Sequence, residues 1–213
     1  LHEIHDRIAN SYEKKTEAFE FRNQLHKYRR ILLSYATGEV LECGLGTGKS
    51  LEFYKPNTNV IAIDHSENMI KKTYEKLENK DLYDIDPNIK LQIKQMDCEN
   101  LDFPDNSFDT VVDINNFHTY NDPSKVMNNI KRVLKDNGIL LFLARGESEY
   151  FLIKLFYRIF QPTVFMKTGQ DLTINWSDMI ENDKQFEVLY KMKKNYGRTY
   201  IYILKLHKND IKQ

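Results

Sequence analysis

Gly38-Glu39-Val40-Leu41-Glu42-Cys43-Gly44-Leu45-Gly46-Thr47-Gly48-Lys49-Ser50, residues 38–50, is the stretch that decides the fold. A short apolar run ends at an acid, and three glycines follow at alternate positions. Because glycine has no Cβ, the backbone can turn sharply there and can approach a ligand closely. The pattern therefore predicts a strand, a turn and a nucleotide-type binding loop.

Three nucleotide-binding motifs compete for this loop. A dinucleotide fingerprint, Gly-x-Gly-x-x-Gly, needs its third glycine where Lys49 stands. A phosphate-binding P-loop also ends in Gly-Lys-Ser, but its first glycine would fall on Cys43. The third motif, Glu-x-Gly-x-Gly-x-Gly, is matched without exception by Glu42, Gly44, Gly46 and Gly48. The choice among them depends on the sequence downstream.

Several predicted strands downstream end in an acidic residue. Residues 60–64 form a buried-strand pattern, and Asp64 lies twenty positions after Gly44, a spacing that lets a carboxylate reach ribose hydroxyls. A P-loop protein has no need of that acid. A third strand pattern at 89–95 precedes Asp97, and residues 105–113 give a turn, a short strand and another terminal acid. Residues 111–113 taken alone also match the metal-binding acid of a nucleoside triphosphatase. The ordered series of strands that end in acids is therefore more specific than any one of these acids.

Helical patterns alternate with these strands. The apolar spacing predicts helices over residues 1–36, from 49 to a stop at Pro56, from an N-cap at Ser66 to about Asn79, and from Asp122 to a C-cap at Gly138. A strand is expected at 139–144. Regular alternation of strand and helix implies parallel strands covered on both faces.

The last third of the chain departs from this alternation. Residues 151–160 are apolar on nearly every side, and Pro162 is expected to end that helix. An inserted helix packed over the sheet is the simplest interpretation, and a lid, a protein-partner face or a membrane contact are the alternatives. Residues 186–190 and 199–206 predict an antiparallel strand pair at the sheet edge.

Composition sets the outer limits. The 213 residues suffice for one sizeable core, and 31 basic against 31 acidic side chains indicate no nucleic-acid partner. No apolar run approaches the length that spans a bilayer. Cys43 and Cys98 lack metal-ligand spacing, so no metal is expected. The chain begins at Leu1, from which we expect an upstream segment to have been removed or not included.

The ordered series of motifs over residues 5–145 resembles the class I S-adenosylmethionine-dependent methyltransferases, in particular the methyltransferase type 11 domain. That resemblance implies an α/β fold: one Rossmann-like, doubly wound domain with a mostly parallel seven-stranded sheet and an antiparallel edge hairpin. The expected segments of this single domain, 1–213, are a helical lead-in at 1–37, a cofactor-binding core at 38–145, an inserted helical or lid segment at 146–185 and a terminal hairpin at 186–206.

The resemblance also implies the cofactor, S-adenosylmethionine, and the residues around it. Asp64 would bind the ribose, and Asp97 and Cys98 would flank the adenine. Backbone N–H groups of the glycine loop and a helix N-terminus would hold the methionine carboxylate. The full expected cofactor set is Glu42, Gly44, Gly46, Thr47, Gly48, Asp64, His65, Asp97, Cys98 and Asp113. His118, after the fourth strand, is the candidate general base, with a structural histidine as the alternative.

Two functions follow from the resemblance. The first is methyl transfer to a small-molecule or lipid-like acceptor, since the chain is similar to mitochondrial methyltransferase-like proteins and to ubiquinone/menaquinone C-methyltransferases in residues 29–33, Trp176 and residues 197–200. The second is a non-catalytic subunit of a larger protein assembly, with a mitochondrial assembly as one option, docked through the helix at 151–160. An intracellular location is expected, mitochondrial first and cytoplasmic second. Asn115, Asn116 and residues 136–138 depart from the family pattern where the acceptor is handled, so the acceptor stays open.

Overall fold

The structure is a computed structural model that describes residues 20–79 and 85–208. Predictions that concern the helical pattern of residues 1–19 lie outside the described residues. Within the described part, the N-terminal helix α1 runs over Leu25–Leu33. It follows Gln24, whose φ of 55° breaks the helical path. The prediction of one continuous helix up to residue 36 is therefore wrong in its described portion.

The described residues form one seven-stranded sheet. Its strands are β1 Glu39–Cys43, β2 Asn59–Asp64, β3 Lys90–Gln95, β4 Phe108–Ile114, β5 Leu134–Arg145, β6 Phe186–Lys194 and β7 Thr199–Leu206. Their spatial order is β3-β2-β1-β4-β5-β7-β6. The first five are parallel, whereas β7 pairs antiparallel with both β5 and β6. This arrangement confirms the predicted Rossmann-like fold with its antiparallel edge hairpin.

Helices cover both faces of this sheet. In the described residues they are α1, α2 Glu67–Glu78, α3 Pro123–Val133, α4 Phe151–Thr168 and α5 Trp176–Glu181, with single 3₁₀ turns at Leu51–Phe53, Cys98–Asn100 and Phe117–Thr119. Strand alternation divides the core accordingly: Leu41 of β1 belongs to a cluster with α3 and α5, whereas Val40 belongs to a cluster with α1. The sheet is thus doubly wound, as the sequence predicts.

Three predicted helix boundaries are wrong, each for a local reason. After β1, Gly48 adopts a φ of +78° and the chain makes only the 3₁₀ turn Leu51–Phe53, so the expected helix does not form. α3 ends at Val133 because Leu134 is already extended and pairs with Phe108 of β4, so Gly138 is not its C-cap. α4 continues through Pro162 to Thr168, and Gly169 in the left-handed region caps it.

No helix within the described residues is both long and apolar enough to cross a bilayer. α4 comes nearest in length, with 18 residues, and it has no buried side chain. The simplest interpretation of the sequence, a helix packed over the sheet by its apolar residues, is therefore not what the structure has. α4 lies on the surface with most of its large apolar side chains exposed.

Candidate functional site

The glycine loop after β1 is tight and lies at the carboxyl edge of the parallel strands. Gly44, Gly46 and Gly48 have φ values of +69°, +58° and +78°, which glycine adopts without steric cost. A Cβ on Gly44 would stand 2.3 Å from the side chain of Asn116, whereas a Cβ on Gly46 would meet nothing within 4 Å. Gly44 is therefore required for packing, and Gly46 keeps its side open toward the cleft.

Asp64, the last residue of β2, is hydrogen-bonded to the glycine loop. Its Oδ2 accepts a hydrogen bond from the Gly46 N–H at 2.7 Å, and its Oδ1 accepts one from the Ser66 N–H at 2.9 Å. The α2 helix adds two further ties, because Thr73 donates to the Gly46 carbonyl and Lys76 donates to the Thr47 carbonyl. The predicted strand-terminal acid thus stands directly over the glycine loop.

The turn after β4 closes the loop from the other side. The Asn116 Nδ2 donates to the carbonyls of Cys43, Gly44 and Ile114 at 2.9–3.1 Å, which joins the turn to the end of β1. The preceding Asn115 has a φ of +69°. Its Oδ1 is buried without a hydrogen-bond partner among the described residues. A buried acceptor of this kind is costly unless a ligand supplies the donor.

A cleft of about 630 Å³, including the part open to solvent, runs across these elements. Five of the predicted cofactor residues line it: Gly44, Gly46, Asp64, His65 and Cys98. The rest of its wall lies outside the predicted cofactor set and consists of Met69, Asn115, Asn116, Thr119, Tyr120, Thr168 and Gln170. Four of these, at 115, 116, 119 and 120, belong to the segment after β4 in which the sequence places acceptor handling; sequence reasoning missed the other three.

A second, narrower recess continues past Asn115 along the glycine loop. Thr47 of the predicted set lines it, together with Arg29 of α1 and Lys49. Arg29 is buried, contacts Glu20 at 3.5 Å and has no hydrogen-bond partner for its Nε among the described residues. This recess brings two cationic side chains to the loop backbone together with Glu20, which pairs with Lys49 at 3.1 Å as well as with Arg29. A ligand carboxylate there would be attracted by both cations and would compete with Glu20 for them.

Four predicted residues lie behind the cleft wall. Gly48 turns the chain toward Thr73, and Asp97 caps a 3₁₀ turn by accepting the Glu99 N–H at 2.8 Å. Glu42 and Asp113 are buried carboxyl groups at the ends of β1 and β4. Burial raises the pKa of each to about 7, and the pKa increase is opposed by hydrogen bonds, which for Asp113 include a 2.6 Å bond from the Tyr120 hydroxyl.

His118, the candidate general base, is 1% exposed in the 3₁₀ turn Phe117–Thr119 and is not one of the described residues that line the cleft. Its Nδ1 accepts a hydrogen bond from the Arg145 N–H at 3.3 Å, and its carbonyl accepts one from the Asp171 N–H. These contacts join the β4 turn to the end of β5 and to the segment after α4. They are typical of a structural histidine, which was the alternative interpretation.

The residues present fit S-adenosylmethionine. Asp64 offers a carboxylate over the loop for ribose hydroxyls, and the orphaned Asn115 Oδ1 accepts a donor such as an amino group. Cations line the recess beside the loop, and the open side of Gly46 admits a ligand against the backbone. The prediction of a helix N-terminus at the methionine carboxylate is wrong, because that helix is absent.

Comparisons with known sequences agree with this site. Residues 41–142 match the type 11 methyltransferase domain model. The chain is 33% identical over 137 residues to a phosphatidylethanolamine N-methyltransferase from Cereibacter sphaeroides, covering 62% of this chain and 65% of that protein. It is 24% identical to the mitochondrial methyltransferase OMS1 of Saccharomyces cerevisiae, covering 96% and 46%. A demethylmenaquinone methyltransferase from Listeria welshimeri is 29% identical, covering 66% and 60%. The chain therefore spans less than two thirds of each of these relatives.

Solved structures share the fold. A methyltransferase of Thermotoga maritima, described as a possible histamine N-methyltransferase, superposes with a TM-score of 0.63 at 18% identity, covering 98% of this chain and all of that one. A putative methyltransferase crystallised with the Trm112 activator of Haloferax volcanii gives 0.67 at 14% identity, covering 95% and 97%. The motif series, the sheet order and the sequence match therefore agree: residues 41–142 match a methyltransferase domain, and the chain is similar to S-adenosylmethionine-dependent methyltransferases.

Proposed function

We propose that this protein transfers a methyl group from S-adenosylmethionine to a lipid-like acceptor. The observation that carries the proposal is the Asp64 carboxylate, fixed over an intact glycine loop at the edge of an open cleft. The acceptor class is supported by two relatives whose names specify phosphatidylethanolamine and demethylmenaquinone. Both compounds are lipids, with a polar head and long apolar chains.

In this proposal the protein mainly binds the cofactor and orients the acceptor. S-adenosylmethionine, when bound, supplies a methyl group that is already electrophilic. Asp64 accepts hydrogen bonds from ribose hydroxyls, and Asn115 accepts one from the amino group. Arg29 and Lys49, which share Glu20 as their ion-pair partner, attract the carboxylate. Thr119, Tyr120 and Gln170 form the far wall of the cleft, where an acceptor would be aligned with the methyl group.

An acceptor that holds a proton at neutral pH would also need a base. His118 is our first proposal for that role, and Asp113 is the second. Asp113 has a pKa of about 7 and lies behind Tyr120, whose hydroxyl joins it to the cleft wall by a 2.6 Å hydrogen bond. A His118→Gln variant that loses turnover with unchanged cofactor affinity would support the first assignment; the same result for Asp113→Asn would support the second.

A non-catalytic subunit is the second candidate function. The exposed apolar side chains of α4 favour it, because such a surface suits a protein partner. The intact cleft opposes it. For either function we propose a mitochondrial location, supported by the mitochondrial relative OMS1. Cell fractionation with the full-length protein would test that location.

Calorimetry with S-adenosylmethionine tests the leading proposal. We expect saturable binding by the wild-type chain and no binding by Asp64→Ala, because the variant loses both the ribose acceptor and the tie to Gly46. Glu39→Ala, which removes an exposed acid at the opposite end of β1, is the matched control. Transfer of labelled methyl from the cofactor to a phospholipid or quinone extract then separates an enzyme from a binding-only subunit. Absence of binding at millimolar cofactor would contradict the proposal.

A further inference from the structure

The helix α4 exposes its more apolar face to solvent, whereas an ordinary surface helix turns that face toward the protein. The row that faces the body of the protein, partly buried, is Ile153, Tyr157, Gln161, Val164 and Thr168, spaced by three or four residues. The opposite row faces solvent and is more apolar: Leu152 is 77% exposed, Phe156 54%, Ile159 63% and Met166 66%. An amphipathic helix normally buries its apolar face in the protein, and α4 presents it outward.

Polar contacts fix this orientation. The Gln161 side chain donates to the Gln170 carbonyl at 2.9 Å and accepts the Leu172 N–H at 3.2 Å. The buried carboxylate of Glu147 pairs with Lys154 at 2.6 Å and with Arg158 at 2.7 Å. Since hydrogen bonds and ion pairs are directional, they hold the inner row against the body. The outward apolar face is therefore a defined feature of the fold.

Aromatic side chains extend this face beyond the helix. Tyr150, just before α4, and Tyr196, in the β6–β7 turn, are 58% and 69% exposed. Their rings contact edge to face, with centroids 5.9 Å apart. Tyrosine pairs an apolar ring with a polar hydroxyl, which is the combination enriched at the boundary between headgroups and acyl chains.

The charge of this region favours an anionic partner. α4 contains Lys154, Arg158 and Lys167 and no acidic residue. Glu147 pairs with Lys154 and Arg158, so the excess positive charge of this region lies at Lys167 and at the neighbouring Arg198. Beside α4, the Arg198 guanidinium stacks on the Tyr157 ring at 3.6 Å, and its Nε and Nη2 are buried without hydrogen-bond partners among the described residues. A guanidinium so placed can donate charge-assisted hydrogen bonds to a phosphate.

We propose that α4 docks the protein on an anionic phospholipid bilayer, lying in the plane of the headgroups with its outer row among the acyl chains. The combination of an apolar outer row, a tyrosine pair and an excess of positive charge at Lys167 and Arg198 is that of an interfacial helix. The inference rests on the proposed function in its last step only. Thr168, at the end of α4, lines the cofactor cleft, so docking brings the cleft to the surface that holds a lipid acceptor.

Flotation with vesicles, without cofactor, tests the docking. The full chain should float with vesicles containing about one third phosphatidylserine, and more weakly with phosphatidylcholine alone. The triple variant Leu152→Gln, Phe156→Gln, Ile159→Gln should lower the partition coefficient at least about thirtyfold. Because these side chains are exposed, its melting temperature should not fall. Arg198→Gln should weaken binding to the anionic vesicles selectively.

The matched control is Tyr74→Gln with Leu189→Gln, which removes exposed apolar side chains elsewhere and should leave flotation unchanged. Equal flotation of the triple variant and the wild type would overturn the inference, as would no flotation of the wild type. A wild-type dimer that the triple variant abolishes, without vesicle binding, would assign the face to a second copy and overturn it too. Because no cofactor is added, these results are independent of S-adenosylmethionine binding, which calorimetry measures separately.

Discussion

Glu42 and Asp113 are carboxyl groups at the ends of neighbouring strands, and both are almost completely buried. Burial is the largest cause of the raised pKa of each, because it penalises the charged form. A smaller increase comes from a neighbouring negative charge, which is Asp64 for the pKa of Glu42 and Glu42 for the pKa of Asp113. The native state therefore favours protonated carboxyl groups near neutral pH, and its stability should depend on pH.

Glu42→Gln should remove part of that dependence. A raised native pKa gives stability that is present below 4.5 and is lost as the pH rises to about 7. The amide cannot ionise and keeps its place beside the Tyr54 hydroxyl. We therefore compare the free energy of unfolding of the variant and of the wild type, measured with urea. The difference in favour of the variant should be about 2–3 kcal/mol larger at pH 8 than at pH 5. The exposed Glu52→Gln is the control, and parallel pH profiles for Glu42→Gln and wild type would contradict the assignment.

Asn115 allows a direct test of the cofactor cradle. Asn115→Gly keeps a backbone that adopts a φ of +69° and removes the orphaned Oδ1. If that oxygen accepts a hydrogen bond from the ligand, the affinity for S-adenosylmethionine should fall about tenfold by calorimetry. Stability should change little, because an unsatisfied buried group is lost. Asn57→Gly, at a φ of 63° on an exposed turn, is the matched control and should bind normally.

At this scale the sequence predicted the residues whose spacing along the chain defines their role. Gly44, Gly46 and Asp64 follow from the motif and from the twenty-residue interval between the first and last of them. Gln170, which lines the cleft, and Arg29, which lines the recess beside it, could not be predicted, because they come from elements far apart in the sequence. Their approach depends on tertiary packing, which no local pattern encodes.

Elements differ in how well their sequence determines them. Four of the five parallel strands were predictable because buried strands are apolar runs, whereas the edge strand β3 only alternates exposed and partly buried residues. The order of the strands follows from the family pattern. The ends of the helices were less predictable. Gly138 has the residue type of a C-cap, but the pairing of Leu134 with Phe108 ends α3 earlier. Pro162 ought to stop α4, yet a surface helix tolerates the missing hydrogen bond, and Gly169 supplies the actual cap.

The start of α3 is a case in which the local signal suffices. Asp122 Oδ1 accepts the Lys125 N–H at 2.9 Å, and Pro123 stands in the first turn, as the sequence predicts. Asp122→Ala should therefore lower the free energy of unfolding by about 1 kcal/mol in chemical denaturation. Asp102→Ala removes an exposed acid outside any helix and should change stability by less than half as much. An equal loss in both variants would indicate a charge effect rather than a cap.

In the whole molecule, the cleft joins the two cores that lie on opposite faces of the sheet. Leu45 and Leu51, beside the glycine loop, belong to the core packed on α1, whereas Cys98 and Tyr120 belong to or pack against the core that holds α3 and α5. A ligand that fills the cleft would contact Cys98 and Tyr120 directly and would lie on the glycine loop that carries Leu45. We therefore expect cofactor binding to stabilise the domain as one unit against unfolding.

Trp176, the chain's only tryptophan, lies in the core on the sheet face opposite α1, so its fluorescence follows the unfolding of that core. It is fully buried, its Nε1 donates to the Arg145 carbonyl at 2.7 Å, and its ring contacts Phe117. S-adenosylmethionine at about a hundredfold over its Kd should add about 2.7 kcal/mol, which for this chain length raises the melting midpoint by about 5–10 °C. The same shift should appear in tryptophan fluorescence and in far-ultraviolet circular dichroism, and Asp64→Ala should show neither. A ligand shift seen by circular dichroism alone would mean that the two cores unfold separately, because only a domain that unfolds cooperatively transmits binding at the glycine loop to Trp176.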